Sequence, residues 1–425
     1  MADSLDLMKN NNPSILHSIV MLLLSFYLLA DVVSGFAVLQ LNIDLKISLA
    51  YKLFLTLILL FLIFVLNFSY ILFFLVILSY YLLAPALQVL KGSDIAFFVS
   101  DFSNVVKILM PFIVFVYIGL MSERYYHFTS KWVERALFSN FIILCGNLVI
   151  GLMGFGRPSY ELRDGESAGT NGFIYSANEL GATMVVLFCF ALHLCWNRKP
   201  KFYWLAAAGS LLAGVAVATK TALLATFLII FLVPIFNERE RFLSLTKLKF
   251  AMFAPALALT SVFVIMIVDF LNALGLYDKF VWVLDQKGVL GIILSGRDLY
   301  AKEILQVYFY QLELWQQVIG VSSAGIAQFI HIKYSAEIDS VDILAWFGVV
   351  GLFICLSLHL YLFIKAWVQF RSPSSLYSPC VALGLSILFC LSQLSGHVWM
   401  SGTLGVSLGL FASLLWFDKP QQEVV

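Results

Sequence analysis

Apolar residues in this chain do not alternate with polar ones. They run in blocks of about twenty, separated by short clusters of charge, proline or glycine. A helix rising 1.5 Å per residue needs about 20 apolar residues to cross about 30 Å of hydrocarbon, so each block reads as a transmembrane helix. The length rule gives about twelve: 15–38, 48–66, 68–88, 104–121, 136–154, 173–195, 202–218, 221–236, 250–270, 341–365, 377–394 and 398–417. The stretch 202–236 would be roughly 50 Å long as a single helix, too long for one crossing, and the break is placed at Thr219-Lys220-Thr221. The expected fold is all-α, a single polytopic membrane domain over 1–425, with one large loop, 272–340, between the ninth and tenth helices. Inside that loop Tyr300, Ile304, Val307, Tyr308 and Gln311 recur every three or four positions with no Pro or Gly between them. This spacing predicts a surface-lying helix over Asp298–Gln317.

Composition excludes a soluble reading. The chain is 61% hydrophobic and 12% charged, against about 45–50% apolar and about 25% charged in soluble domains. Its mean hydropathy is +0.94. A net charge of +1 gives no reason to expect a nucleic-acid partner. Cys145, Cys189, Cys195, Cys355, Cys380 and Cys390 lie in or beside apolar runs without zinc or disulfide spacing, and read as buried free thiols. The first apolar run follows a start with only Lys9 basic and has no clear cleavage site, so it reads as a retained helix.

Cytoplasmic loops of membrane proteins carry an excess of Lys and Arg. Arg124, Lys131 and Arg135 fall in one loop; Arg198, Lys199 and Lys201 in a second; Arg239, Arg241, Lys247 and Lys249 in a third; then come Arg371 and Lys419. All lie on one side of a twelve-helix path, which puts both termini in the cytoplasm and the segments 154–172 and 272–340 outside it. No internal repeat is visible, and the large loop does not divide the chain into equal halves, as a two-repeat transporter would.

The outer segments carry the candidate chemistry. Arg157 and Arg163 sit just outside the bilayer in a Gly-rich stretch, and their planar forks suit bidentate phosphate binding; ion pairing within a solvated loop is the alternative. Asn178 and Glu179 open the sixth span, where polar groups are costly without a use, although helix capping would also account for them. Arg297 follows Gly296 and reads as a phosphate clamp or as a loop anchor paired with Asp298 or another acid. Lys220 is a further outer cation, or a lysine snorkelling to the interface. Glu337, Asp339 and Asp342 gather at the start of the tenth span; Asp339 and Asp342 share a helix face and Glu337 lies in the turn before it. Capping accounts for one of these acids better than for three. His331 is a candidate base and His397 reads as interfacial. No two histidines sit at ligand spacing, so no metal is expected.

At these residues the sequence resembles the O-antigen polymerase and O-antigen ligase superfamily, the Wzy and WaaL proteins of surface-polysaccharide assembly. The resemblance runs through Arg163…Gly172-Phe173…Asn178-Glu179-Leu180-Gly181 and Thr219-Lys220-Thr221-Ala222-Leu223-Leu224. It continues through Ser295-Gly296-Arg297, Gly320…Gly325 and the acidic motif leading to Gly348-Val349-Val350-Gly351. The family often has arginine where Lys220 stands, which weakens a bidentate role there. Many members, ligases especially, have a histidine where this chain has Glu337-Ile338-Asp339, and the carboxylate form looks more like the polymerase branch.

The resemblance implies a bacterial inner-membrane glycosyltransferase that works at the periplasmic face without a cofactor. It would move glycan from an undecaprenyl-diphosphate-linked donor onto a sugar hydroxyl of a lipid-linked repeat unit. Its implied partners are those lipid-linked oligosaccharides, membrane lipid, a chain-length regulator and a flippase. Arg297, with Arg157, Arg163 and Lys220, would hold the diphosphate, and Glu337, then Asp339, would act as the base. Asn178, Glu179, Asp342 and His331 complete the expected substrate site. The rivals are an O-antigen ligase acting on lipid A core and, in a different class, a lipid-linked oligosaccharide transporter; a membrane scaffold is disfavoured by the cost of the edge charges.

Overall fold

The computed structural model describes residues 13–161, 167–273, 277–331, 333–372 and 374–418. Arg163, Lys9 and Lys419 lie outside the described residues. The described chain is almost wholly helical, with one antiparallel two-stranded hairpin. In chain order the helices are α1 (Ile15–Ser25), α2 (Tyr27–Gln40), α3 (Ile47–Leu66), α4 (Phe68–Leu90), α5 (Ile95–Arg124) and α6 (Tyr126–Leu152). The strands β1 (Arg157–Glu161) and β2 (Ser167–Gly172) follow, then α7 (Ala177–Arg198), α8 (Tyr203–Val217), α9 (Lys220–Asn237), α10 (Lys247–Ile265), α11 (Ile267–Ala273) and α12 (Tyr277–Leu294). The last are α13 (Arg297–Tyr310), α14 (Leu314–Ile319), α15 (Ser322–Ala327), α16 (Asp339–Phe370), α17 (Ser378–Leu394) and α18 (Leu404–Ser413).

Eight described helices are long and apolar enough to cross a bilayer, or nine when the bent pair α1 and α2 counts as one span. The protein is an all-α polytopic membrane protein. The helices α17 and α18, at 17 and 10 residues, are shorter than the length expected of a full crossing. The central helices are α5 and α7, with 78% and 72% of their most apolar windows buried, against 28% for α3 and α4 at the periphery.

Three breaks shape the bundle. The 53° bend between α1 and α2 lies at Phe26, where the side chain of Asn140 from α6 donates to the Leu24 carbonyl at 3.0 Å and accepts the Leu28 N–H at 3.3 Å. That buried amide satisfies backbone groups the bend frees. Between α8 and α9, Ala218 adopts a left-handed conformation and Thr219 caps the new helix by accepting the Ala222 N–H at 3.2 Å. Within α16, Gly348 (φ +73°) interrupts the helix where its backbone meets that of Gly320 (φ +84°). A Cβ on Gly348 would overlap the Val318 carbonyl oxygen, and one on Gly320 would overlap the Trp346 carbonyl oxygen. Tyr80 of α4 donates to the Val318 and Phe347 carbonyls at 3.1 and 3.0 Å, sealing this crossing.

The helix expected over Asp298–Gln317 is two helices. The first ends at Tyr310, and Glu313 opens α14 with a reciprocal capping box to Gln316. Ile304, Val307 and Tyr308 are buried. All six cysteines are free, but only Cys189, Cys355 and Cys380 are fully buried; Cys390 is exposed, contrary to expectation.

Candidate functional site

The two ends of α7 carry different chemistry. At its C-terminal end Arg198 pairs with Glu134, which also accepts from the Tyr377 hydroxyl. At its N-terminal end Glu179 accepts Ser401 Oγ at 2.7 Å and the Thr403 N–H at 2.9 Å. Asn178 and Glu179 lie at this second end.

The centre of the site is built from the segment before α16 and the loop 395–403 between α17 and α18. Asp339 is not the cap of its own helix, a position taken by Ile338. It is 1% exposed, and its carboxylate accepts the backbone N–H groups of His397, Val398 and Trp399, each at 2.9 Å. Asp342, 2% exposed, accepts Ser335 Oγ at 2.8 Å and the N–H groups of Ala336 and Glu337 at 2.6 and 3.0 Å. One acid therefore holds the His397 loop and the other holds the Glu337 turn. Both Glu337 (φ +55°) and His397 (φ +58°) lie in the left-handed region, a strain maintained only when surrounding bonds fix it. A Cβ on Gly396 would overlap the Glu337 carbonyl oxygen, so the two segments touch backbone to backbone.

Glu337 faces two cations and a histidine. Arg297, itself buried, donates through Nε at 3.2 Å and Nη2 at 3.0 Å to Oε2. Lys333 Nζ donates to Oε1 at 2.8 Å while resting 4.6 Å from the Tyr300 ring centre. His397 Nε2 stands 3.9 Å from Oε2, an ion-pair separation too long for a hydrogen bond. His397, with Lys333 and Arg297, holds the Glu337 carboxyl well below the usual carboxylate range despite its partial burial. Burial pulls His397 down, but Glu337, Asp339 and Glu179 outweigh it and hold the imidazole above its ordinary value.

Arg297 does not pair with Asp298, whose Oδ1 is buried without a partner. The turn before it puts Ser295 (φ +57°) and Gly296 (φ +81°) in the left-handed region, which is strained for the serine and free for the glycine. Lys220 donates to the Ile292 carbonyl and, at 3.2 Å, to Ser295 Oγ, so it braces the turn that presents Arg297. Asn178 is half-buried in the first turn of α7 and makes no side-chain hydrogen bond among the described residues. His331 is exposed and stands outside the hydrogen-bonded cluster. Arg157 lies on β1 with its guanidinium carbon 4.6 Å from the Tyr175 ring centre. Its neighbour Tyr160 is raised by burial, partly offset by the charge of Arg297, which links the hairpin to the cluster.

Sequence reasoning passed over Lys333 and set His397 aside. Lys333 could have been found from its four-residue offset to Glu337. His397 had no local signal, because its partners lie some sixty positions earlier on another element. A second polar group was also missed: Lys52 of α3 pairs with Asp31 of α2 at 2.6 Å, and Ser48 donates to the same acid. Comparison with protein-family models, with curated proteins and with solved structures returns no match to this chain.

Proposed function

We propose that the protein is a membrane glycosyltransferase of the surface-polysaccharide polymerase type, taking glycan from a polyprenyl-diphosphate-linked donor. The observation that carries this reading is the grouping of Arg297, Lys333 and His397 around a single carboxylate, Glu337, at one end of an apolar bundle. Two cations, Arg297 and Lys333, meet this one carboxylate. The cluster suits a diphosphate whose lipid tail lies in the adjoining hydrocarbon, because preorganised cations stabilise the negative charge that develops on the leaving group.

Donor binding exchanges partners. Phosphate oxygens replace Glu337 on the Arg297 fork and on Lys333, and the carboxylate, freed of the cations that hold its pKa down, turns to the acceptor hydroxyl. The acceptor oxygen attacks the anomeric carbon, the bond from that carbon to the phosphate oxygen breaks, and its electron pair leaves on the diphosphate. The hydroxyl proton passes to Glu337. Asp339 and Asp342 act as positioning residues, since their oxygens are already engaged with backbone N–H groups. Glu179 has the same role toward the 401–403 turn, and Lys220 toward Arg297.

In this reading the chain crosses the membrane about twelve times, with α1 and α2 as the first crossing. The basic loops containing Arg198, Arg239 and Arg371 face the cytoplasm, as do both termini. The segment 272–340 and the hairpin face outward.

Purified protein in nanodiscs, supplied with lipid-diphosphate-linked repeat units, should give a ladder of lengthening lipid-linked glycan that disappears in Arg297→Ala. Transfer only when lipid A core is added would make the protein a ligase. No transfer to either acceptor would sink the glycosyltransferase reading and favour transport.

A further inference from the structure

The hairpin has a cavity that the proposed transfer chemistry does not use. It measures about 390 Å³ and lies where β1 and β2 meet the end of α2 and the start of α7, with Leu39, Arg157, Ser159, Asn171 and Tyr175 in its wall. That volume is at the low end of the roughly 300–1,000 Å³ of small-molecule sites. It suits a single sugar ring better than a lipid.

The polar groups of this wall are only partly satisfied by the protein. Ser159 Oγ donates to Asn171 Oδ1 at 2.8 Å, which fixes the side-chain amide and leaves its N–H₂ free to donate. The Asn171 carbonyl is tied to Asn147 Nδ2 of α6 at 2.8 Å, so the cavity floor is anchored to a long helix. Arg157 is different. Its Nε is buried without a hydrogen-bond partner, and no carboxylate among the described residues pairs with its guanidinium. A buried donor with no acceptor is exceptional in folded proteins, and the residue that carries it is half-buried and lines the cavity. Beside it the Tyr175 side chain is largely open, at 78% exposure for the residue, with the guanidinium stacked against its ring.

We propose that this cavity is a subsite for a sugar ring bearing a carboxylate, a hexuronic-acid unit of the glycan. The fork of Arg157 takes the carboxylate, Tyr175 offers a face to the C–H side of the ring, and Ser159 and Asn171 meet its hydroxyls. A diphosphate fits less well, because the wall supplies one guanidinium where the Glu337 cluster supplies Arg297 and Lys333 together. The subsite's place in catalysis rests on the glycosyltransferase reading. The hairpin would hold an acidic sugar of the substrate while the reacting end lies at Arg297.

Ligand-observed NMR titration of the full chain in nanodiscs tests the subsite without requiring turnover. The probes are methyl glucuronide, methyl glucoside and inorganic diphosphate. Glucuronide should bind at least about tenfold more tightly than glucoside, the worth of one charge-assisted hydrogen bond. Arg157→Gln should bring glucuronide down to the glucoside level, and Tyr175→Ala, at an exposed position, should weaken both sugars. Equal binding of the two sugars, or no effect of Arg157→Gln, overturns the subsite, as does displacement of glucuronide by diphosphate in an Arg157-dependent manner. Arg157-dependent glucuronide binding by a protein that forms no glycan ladder supports the subsite and overturns the transfer reading alone.

Discussion

His397 Nε2 and Glu337 Oε2 stand 3.9 Å apart because each is held by a different aspartate of the same helical turn. Asp339 grips the backbone of His397, and Asp342 grips the backbone of Glu337. The three-residue offset of the two acids sets the spacing of the pair they support. This division of labour separates the effects of substituting the four residues.

Asp339→Asn keeps the shape of the side chain but loses its charge and one acceptor oxygen. Each charge-assisted bond lost or weakened costs about 2 kcal/mol, because the N–H groups it served are buried. Thermal melting in detergent should fall by several degrees, and glycan transfer should drop with it. An unchanged melting curve would remove Asp339 as the holder of the 397–399 loop.

Glu337→Gln leaves Asp342 and its backbone bonds in place, so the chain should still insert, while its melting temperature falls by the stability that the paired carboxylate contributed above pH 4.5. Transfer should fall by about 10²–10⁴, the usual contribution of a general base. Near-normal product from a well-expressed variant would take the base role away from Glu337.

Arg297→Lys preserves the charge but not the fork that reaches Glu337 through two nitrogens. It should recover only a small part of the activity lost in Arg297→Ala. Full recovery, measured by the same gel assay, would reduce Arg297 to a point charge.

The pH dependence of stability follows from the same pair. The lowered Glu337 contributes stability that is present above its ordinary value of 4.5 and is lost as pH falls through the depressed folded value. The raised His397 contributes stability that is fully present below 6.5 and is lost as pH rises through its elevated folded value. Melting temperature should decline on the alkaline side of pH 6.5 in the wild type, and this decline should flatten in His397→Gln. Parallel curves for the two proteins would show that His397 contributes nothing to it.

Much of the helical framework was legible because twenty-residue apolar blocks have few structural alternatives. The break at Thr219 was legible for the same reason. The bend at Phe26 was not, because no proline or glycine marks it and the amide that supports it, Asn140, comes from α6. The hairpin read as a Gly-rich loop, since Arg157–Glu161 and Ser167–Gly172 lack the apolar alternation of a half-buried strand. The acidic set was recognised as a group, but its bonds were not. Asp339 reaches a loop nearly sixty residues later, and such long-range partners leave no trace in local spacing.

The contact between Gly320 and Gly348 also dictates an order of assembly. A chain made from its N-terminus produces the Arg297 segment before the helix beginning at Asp339. The bare backbones of the two glycines cannot meet until that later helix has been inserted. Glu337 and His397 follow the same schedule, since the loop that faces Glu337 emerges last of all. Arg297, Lys333 and Glu337 therefore emerge together, and the site is complete only when the loop carrying His397 follows the helix that begins at Asp339.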